Sequence, residues 1–157
     1  MPKPTVYLDS TIPSVYHDDR TEPERVRWRT ITRAWWDGAQ ERYTLCTSQL
    51  MLDEIARGGR PDRADARLAL VRGIRVLEVN DAVHLLALHY RAHRLMPRTD
   101  AVHVAAASCH RCDLVLTWDL RHMANPRKTR HILRVNAMSG LPTPRICTPE
   151  TLIREAE

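Results

Sequence analysis

Short apolar runs alternate along the chain with longer segments in which apolar residues recur at helical spacing. The short runs predict strands at 6–8, 42–48, 74–79, 113–119, 131–135 and 144–148. The longer segments predict helices at 23–40, 48–58, 62–73, 81–95 and 148–157, and an alanine-rich helix that begins near Thr99. Between the first strand and the first helix, Pro13 predicts only a stiffened turn.

This alternation favours parallel strands joined by right-handed helical connections, and hence an α/β sheet covered by helices on both faces. The 157 residues contain no repeat and no Gly/Ser-rich linker, so we expect a single domain over 1–157. No apolar stretch approaches the ~20 residues of a membrane helix, and the first residues lack the apolar core of a signal peptide. The four scattered cysteines do not form a disulfide framework, so we expect a cytoplasmic protein.

The net charge of +5 comes from 24 Lys and Arg residues, most of them Arg, against 19 acidic residues. Arginine suits phosphate because its planar guanidinium can bind two oxygens at once. A polyanionic partner is one interpretation of this excess. The other is an arginine-rich protein in which the charge serves only solubility.

Four acidic residues are predicted near one edge of the sheet. Asp9 and Asp119 each follow an apolar strand, Asp100 lies at the amino end of the alanine-rich helix, and Glu54 lies in the helix after the second strand. In open α/β sheets, ligands bind outside the carboxyl ends of the strands. Each acid alone also has a structural interpretation, as a turn former, a helix cap or a solvated helix residue.

The four acids together favour a metal site. Small residues such as Ala101, Ala105 and Ala107 would let the helix pack closely on the sheet and fix the direction of Asp100. Carboxylates gathered within a few ångströms repel one another, and one or more stays protonated unless a cation neutralises them. Mg²⁺ and Mn²⁺ are hard ions that prefer oxygen ligands, so they are the expected cofactors.

At four short motifs the chain resembles the PIN-domain nucleases, and among them VapC, the toxin of type II toxin–antitoxin systems. The motifs are LDS at 8–10, the glutamate in LMLDEIARG, TDAVHVAAA at 99–107 and LTWD at 116–119. They occur in the expected order on the expected elements, and the resemblance extends over nearly the whole chain.

The resemblance implies a PIN-like three-layer fold with a five-stranded parallel sheet flanked by helices. It also implies that Asp9, Glu54, Asp100 and Asp119 are the catalytic residues and bind Mg²⁺ or Mn²⁺, and that a metal-activated water attacks an RNA phosphodiester. The implied partners are an RNA substrate, a cognate antitoxin and a second copy of the chain.

Four further residues are candidates for supporting the acids or binding substrate. Ser10 and Thr117 match the small hydroxyl residues beside the first and fourth acids, and either could instead make ordinary strand-end hydrogen bonds. Trp118 could stack on RNA or pack in the core. His122 stands where many family members have an aromatic residue, and Asp53 is an alternative to Glu54 as the acid of the second motif.

Three functional hypotheses follow from these residues. The first is a toxin endoribonuclease restrained by an antitoxin, and the second is a stand-alone RNA-processing nuclease. The third is an RNA-binding module that has kept the fold without catalysis. The presence of all four acids favours an enzyme.

Overall fold

The computed structural model describes residues 2–92, 96–123 and 125–157. A five-stranded sheet forms its centre, with strand order β3-β2-β1-β4-β5. Every pair of neighbouring strands is parallel. The strands are Thr5–Leu8 (β1), Thr44–Ser48 (β2), Arg75–Leu77 (β3), Leu114–Leu116 (β4) and Arg145–Cys147 (β5).

Helices lie on both sides of the sheet. In chain order they are Thr11–Tyr16 (α1), Pro23–Trp36 (α2), Ala39–Arg42 (α3), Gln49–Arg57 (α4), Pro61–Leu70 (α5), Asp81–Tyr90 (α6), Arg98–Cys109 (α7), Pro126–Met138 (α8) and Pro149–Ala156 (α9). The described residues include no helix whose length and apolar character would let it span a membrane.

The side chains of β1 point alternately into two apolar cores, as a strand's period of two requires. Tyr7 joins the core formed with α6, α7 and α8, whereas Val6 and Leu8 join the core formed with α1, α2, α5 and α9. The sheet is therefore the middle of three layers. This result confirms the α/β fold and the five-stranded parallel sheet expected from the sequence.

The strand order places the topological switch point at the boundary between β1 and β4. From β1 the chain continues to β2 and β3 on one side, and it later crosses back to β4 and β5 on the other. A crevice opens outside the carboxyl ends of the strands where the order reverses, and ligands of such sheets bind there. Asp9 follows β1 and Asp119 follows β4, so both lie at this point of the sheet.

Helix α7 is the most deeply buried helix of the fold. Every residue from Ala101 to Ser108 is buried, and four of these eight are alanine. Small side chains permit close packing all around a helix, which larger residues would prevent. The helix is consequently fixed against the sheet, and so is Asp100 in its first turn.

Three predicted elements differ in the structure. The turn expected around Pro13 is α1, and the helix expected over 23–40 divides into α2 and α3 at Gly38, whose φ of 114° is accessible mainly to glycine. The helix expected over 81–95 ends at Tyr90, and its predicted residues 93–95 lie outside the described ones.

The strand predicted at 131–135 is wrong, because these residues lie inside α8. Pro126 occupies the first turn, and the Asn125 side chain caps the helix by accepting from the Arg127 backbone N–H. The buried residues of the helix are Ile132 and Asn136, which are four apart, as expected for one helical face. The short apolar run was therefore one turn of an amphipathic helix.

Asn136 is fully buried and joins α8 to its neighbours by hydrogen bonds. Its amide nitrogen donates to Ser108 Oγ at 3.0 Å, and to Pro142 O and Thr143 Oγ1, both at 3.3 Å. Its amide oxygen accepts from the Tyr90 hydroxyl. One side chain thus connects α6, α7 and α8 with the segment that precedes β5.

We expect Asn136→Ala to lower the free energy of unfolding by about 2–3 kcal/mol, because it removes the four hydrogen bonds of a buried side chain and leaves the Tyr90 and Ser108 hydroxyls with only their bond to each other. Arg134→Ala, at an exposed position of the same helix, is the matched control and should change it by less than ~0.5 kcal/mol. Urea denaturation of both variants measures the difference. Equal stabilities would contradict the role given to Asn136.

Candidate active site

Asp9 lies at the centre of the site, immediately after the central strand, and only 3% of it is exposed. Its Oδ1 accepts hydrogen bonds from the backbone N–H of Thr11 at 3.0 Å and from the Thr11 hydroxyl. Its Oδ2 accepts from the Thr117 hydroxyl at 2.5 Å. Three donors therefore hold a carboxylate that has almost no access to water.

Asp119 is joined to Asp9 through Thr117. The Thr117 hydroxyl donates to Asp9 and accepts from the Asp119 backbone N–H at 2.9 Å. The Asp119 carboxylate accepts from the backbone N–H of His122 at 2.9 Å. Thr117 thus sets the position of both acids, and it does so at the end of β4.

Glu54 is half-buried on α4 and faces the interior of the site. Its Oε1 bonds His103 Nε2 at 2.5 Å, and its Oε2 accepts from the Ser10 hydroxyl at 3.4 Å. The neighbouring Asp53 is exposed and bonds Gln49, one turn back along the same helix. Glu54 is therefore linked to Asp9 through Ser10, the next residue in the chain, whereas Asp53 is bonded to Gln49 on the exposed face of the helix.

His103 continues the hydrogen bonding from Glu54 into the core. It is 2% exposed, and its Nδ1 bonds the Tyr7 hydroxyl at 2.6 Å. That hydroxyl also bonds Ser48 Oγ at 2.7 Å. In either protonation state His103 Nε2–H can donate to Glu54, and Nδ1, the Tyr7 hydroxyl and Ser48 Oγ form a chain in which every group has a partner.

Asp100 is half-buried in the first turn of α7. The pKa of its carboxyl is raised to about 6, chiefly by burial and then by the negative charges of Asp119 and Asp9, against the opposing effect of His103 and His122. Burial also raises the pKa of Asp9, although His103 and the hydroxyls of Thr11 and Thr117 oppose this. Asp119 and Asp9 are therefore close enough to Asp100 to disfavour its ionisation.

The carboxylates lie near one another without converging on one point. Within 2–92, 96–123 and 125–157, no three His, Cys, Asp or Glu side chains form a group arranged to hold a metal ion. Hydrogen bonds to threonine, serine and histidine hold Asp9 and Glu54 in their present positions. The site can concentrate negative charge, and its oxygen donors suit a hard cation.

Trp118 is buried at 5% exposure and packs away from the acids. Its ring stacks on Trp28 with centroids 5.0 Å apart, and its Nε1 donates to Thr32 Oγ1 at 2.8 Å. Its backbone N–H donates to the Thr11 hydroxyl at 2.9 Å. Trp118 thereby fixes α2 beside the site, and Trp28 is the more exposed member of the stack.

The PIN domain family model matches residues 6–128. This stretch contains β2 to β4, all of β1 except Thr5, and all four predicted acids. The chain belongs to the PIN domain family. The family inferred from four short motifs is therefore confirmed.

The PIN fold of the chain is also similar to a solved structure. The crystal structure of VapBC2 from Rickettsia felis, bound to a DNA fragment from the promoter, matches with a TM-score of 0.60 and 10% sequence identity. The match covers 92% of this chain and 98% of the other. No curated protein sequence matches this PIN domain. At so low an identity the likeness is one of fold.

Three polar residues of this PIN domain were not among the predicted candidates. Thr11 and Tyr7 lie beside Asp9 in the chain, and His103 lies one helical turn after Asp100. A threonine two residues after an aspartate is a signal of a local side-chain turn and could have identified Thr11. Nothing local distinguishes Tyr7, because its contacts are with residues 41 and 96 positions away.

We expect Asp100→Asn to stabilise the PIN domain without divalent ions at about pH 8. The folded-state pKa of about 6 exceeds the ordinary 3.8, so ionisation of this carboxyl opposes folding. The gain should be about 1–2 kcal/mol, because the half-buried group keeps part of its hydration. It should disappear below about pH 4, where the carboxyl is protonated in both states.

Urea denaturation in EDTA at the two pH values measures this effect. A variant that is less stable than the wild type at pH 8 would contradict the conclusion that ionisation of Asp100 opposes folding. So would a gain of the same size at both pH values.

Proposed function

We propose that the protein is a metal-dependent endoribonuclease and the toxin of a type II toxin–antitoxin pair in the cytoplasm. The observation that carries the proposal is the gathering of Asp9, Asp100 and Asp119 at the switch point of the sheet, with Glu54 held nearby through Ser10 and His103. Asp9 is buried there with its pKa raised, and Asp100 has a pKa of about 6. Clusters of carboxyl groups with raised pKa values are typical of functional sites.

The cofactor of this proposal is Mg²⁺ or Mn²⁺. Asp9, Asp100, Asp119 and Glu54 would hold it, since carboxylate oxygens are the ligands that both ions prefer. A bound divalent ion supplies a Lewis acid that lowers the pKa of water and stabilises charge at a phosphodiester. Binding would offset the repulsion that raises the pKa of Asp100.

The chain's own residues orient the acids. The hydroxyls of Thr11 and Thr117 fix both oxygens of Asp9, so that carboxylate needs little reorganisation. His103 holds Glu54 from the core side, and Ser10 holds it from the surface side. We assign these four residues positioning roles.

RNA as substrate is supported by the net charge of +5, which attracts a polyanion to a site that is itself acidic. An antitoxin partner is supported by the fold likeness to VapBC2. A homodimer remains part of the proposal through the resemblance to the same toxins.

We expect the purified protein to cleave single-stranded RNA in Mn²⁺ or Mg²⁺ and to be inactive in EDTA. Asp9→Asn, Asp119→Asn and Glu54→Gln should each lower the rate at least ~100-fold, because each removes a proposed ligand charge. Asp53→Asn, one residue from Glu54 but exposed, is the matched control and should keep the wild-type rate. Gel analysis of a labelled RNA measures these rates.

The same variants test the toxin proposal in cells. Expression of the wild type alone should arrest growth, and Asp9→Asn should relieve the arrest at equal protein level. Full toxicity of Asp9→Asn would contradict the metal-nuclease mechanism. Cleavage in vitro without growth arrest would instead favour a stand-alone nuclease, and RNA binding that is indifferent to EDTA without cleavage would favour a non-catalytic module.

A further inference from the structure

A cavity of about 460 Å³ opens beside the acids, between α1, α2, α5 and the end of β4. Ser10, Thr11 and Asp119 belong both to its lining and to the acidic site. Its lining also includes Arg20, Arg25, Arg63 and Arg67, and we call the cavity the arginine pocket after these four residues. Four further cavities of the protein include none of the four acids in their linings.

The pocket has an excess of positive charge. Two of its arginines are paired with aspartates: Arg20 contacts Asp18 at 2.7 Å, and Arg63 contacts Asp19 at 2.7 Å. The other two form no ion pair with any described residue. They therefore keep their charge available for an anion.

Arg25 is held in place by the tryptophan stack. Its guanidinium lies over the Trp28 ring, 5.3 Å from the centroid, and Trp28 in turn stacks on the buried Trp118. A cation over an indole face is attracted by the ring's quadrupole. The side chain is thus ordered before any ligand arrives, so binding costs less conformational entropy.

Arg67 has an unmet hydrogen-bonding capacity. It lines the pocket from α5, and its Nε is buried without an acceptor among the described residues. A buried donor without a partner costs free energy, which an anionic oxygen would recover. Burial lowers the pKa of the neighbouring His17, and the positive charges of Arg33 and Arg67 lower it further.

We propose that the arginine pocket binds the phosphate backbone of single-stranded RNA within one or two nucleotides of the bond to be cut. This inference rests on the proposed function and adds the surface that positions the substrate. Guanidinium groups bind phosphate oxygens in pairs, and the cavity volume suits one nucleotide and not a duplex. The shared residues Ser10, Thr11 and Asp119 make the pocket continuous with the acids.

The pocket also answers an electrostatic difficulty of the acidic site. Four carboxylates repel a polyanion, so a substrate needs attraction from groups nearby. Arg25 and Arg67, which form no ion pair with the described residues, supply this attraction beside the acids, where one RNA strand can contact both. The exposed arginines of α8 lie on the other side of the sheet. Position, and not net charge alone, therefore distinguishes Arg25 and Arg67 from the remaining basic residues.

The test is binding of a fluorescent single-stranded 2′-O-methyl RNA in EDTA, which removes cleavage and metal from the measurement. Arg25→Gln/Arg67→Gln should weaken binding at least ~10-fold, and the slope of log K against log salt should become shallower by ~0.7 for each phosphate that the variant no longer neutralises. Arg130→Gln/Arg134→Gln, which removes the same charge from exposed positions on α8, should weaken it less than ~3-fold.

Folding is controlled by melting curves and by Arg25→Gln alone, since Arg25 forms no ion pair with the described residues. Equal loss of affinity in the two double variants would overturn the proposal that the arginine pocket binds RNA. So would unchanged RNA binding accompanied by lost binding of an antitoxin. Steady-state cleavage of an ordinary RNA should show a KM that rises more than kcat falls.

The outcomes separate this inference from the proposed function. If the wild type cleaves RNA and the pocket variant binds and cleaves equally well, the role of the pocket in RNA binding is wrong and the nuclease proposal is kept. If the wild type binds RNA through the pocket but cleaves none in Mn²⁺, the nuclease proposal is wrong and the role of the pocket in RNA binding is kept. If the wild type binds no single-stranded RNA, the pocket is overturned.

Discussion

The rest of the site depends on one costly interaction, the burial of the Asp9 carboxylate at the end of the central strand. Burial removes a carboxylate from water and raises its pKa unless hydrogen-bond donors or cations stabilise the charge. Here Thr11 and Thr117 supply three hydrogen bonds, yet the pKa of Asp9 remains raised. The fold holds an acid in a position that does not favour its charge, and a cation bound there would stabilise that charge.

The topology brings the other acids to Asp9. Residues 9, 100 and 119 are distant in the chain, but parallel β1 and β4 end side by side at the switch point. The alanine-rich α7 packs closely against the sheet and fixes Asp100 at the same edge. Polar contacts then complete the site from both sides, His103 from the core and Ser10 from the surface.

Local patterns predicted the elements on which the acids lie. The apolar run before Asp9 and the alanine-rich helix after Asp100 are strong signals, and the structure confirms both. The prediction for 131–135 was wrong, because a five-residue run with three apolar residues fits a strand as well as one turn of a helix. Asn136, which shares the buried face of the helix with Ile132, lies one residue beyond the run.

What the sequence did not predict are contacts between distant residues. The bond between His103 and Glu54 joins two helices, and the arginine pocket combines side chains of α2 and α5 with others near α1. Neither has a fixed spacing in the chain, since only the packing of the helices on the sheet creates it. The excess of arginine was visible, but its concentration beside the acids was not.

The most direct test of the central claim is a crystal structure with Mn²⁺, located by its anomalous scattering. We expect an anomalous peak bounded by Asp9, Asp100 and Asp119, with metal–oxygen distances of about 2.1–2.2 Å, and no such peak in crystals of Asp9→Asn. A wild-type crystal at millimolar Mn²⁺ with no peak at the edge formed by β1 and β4 would contradict the account. A peak bound only by acids elsewhere on the surface would contradict it equally.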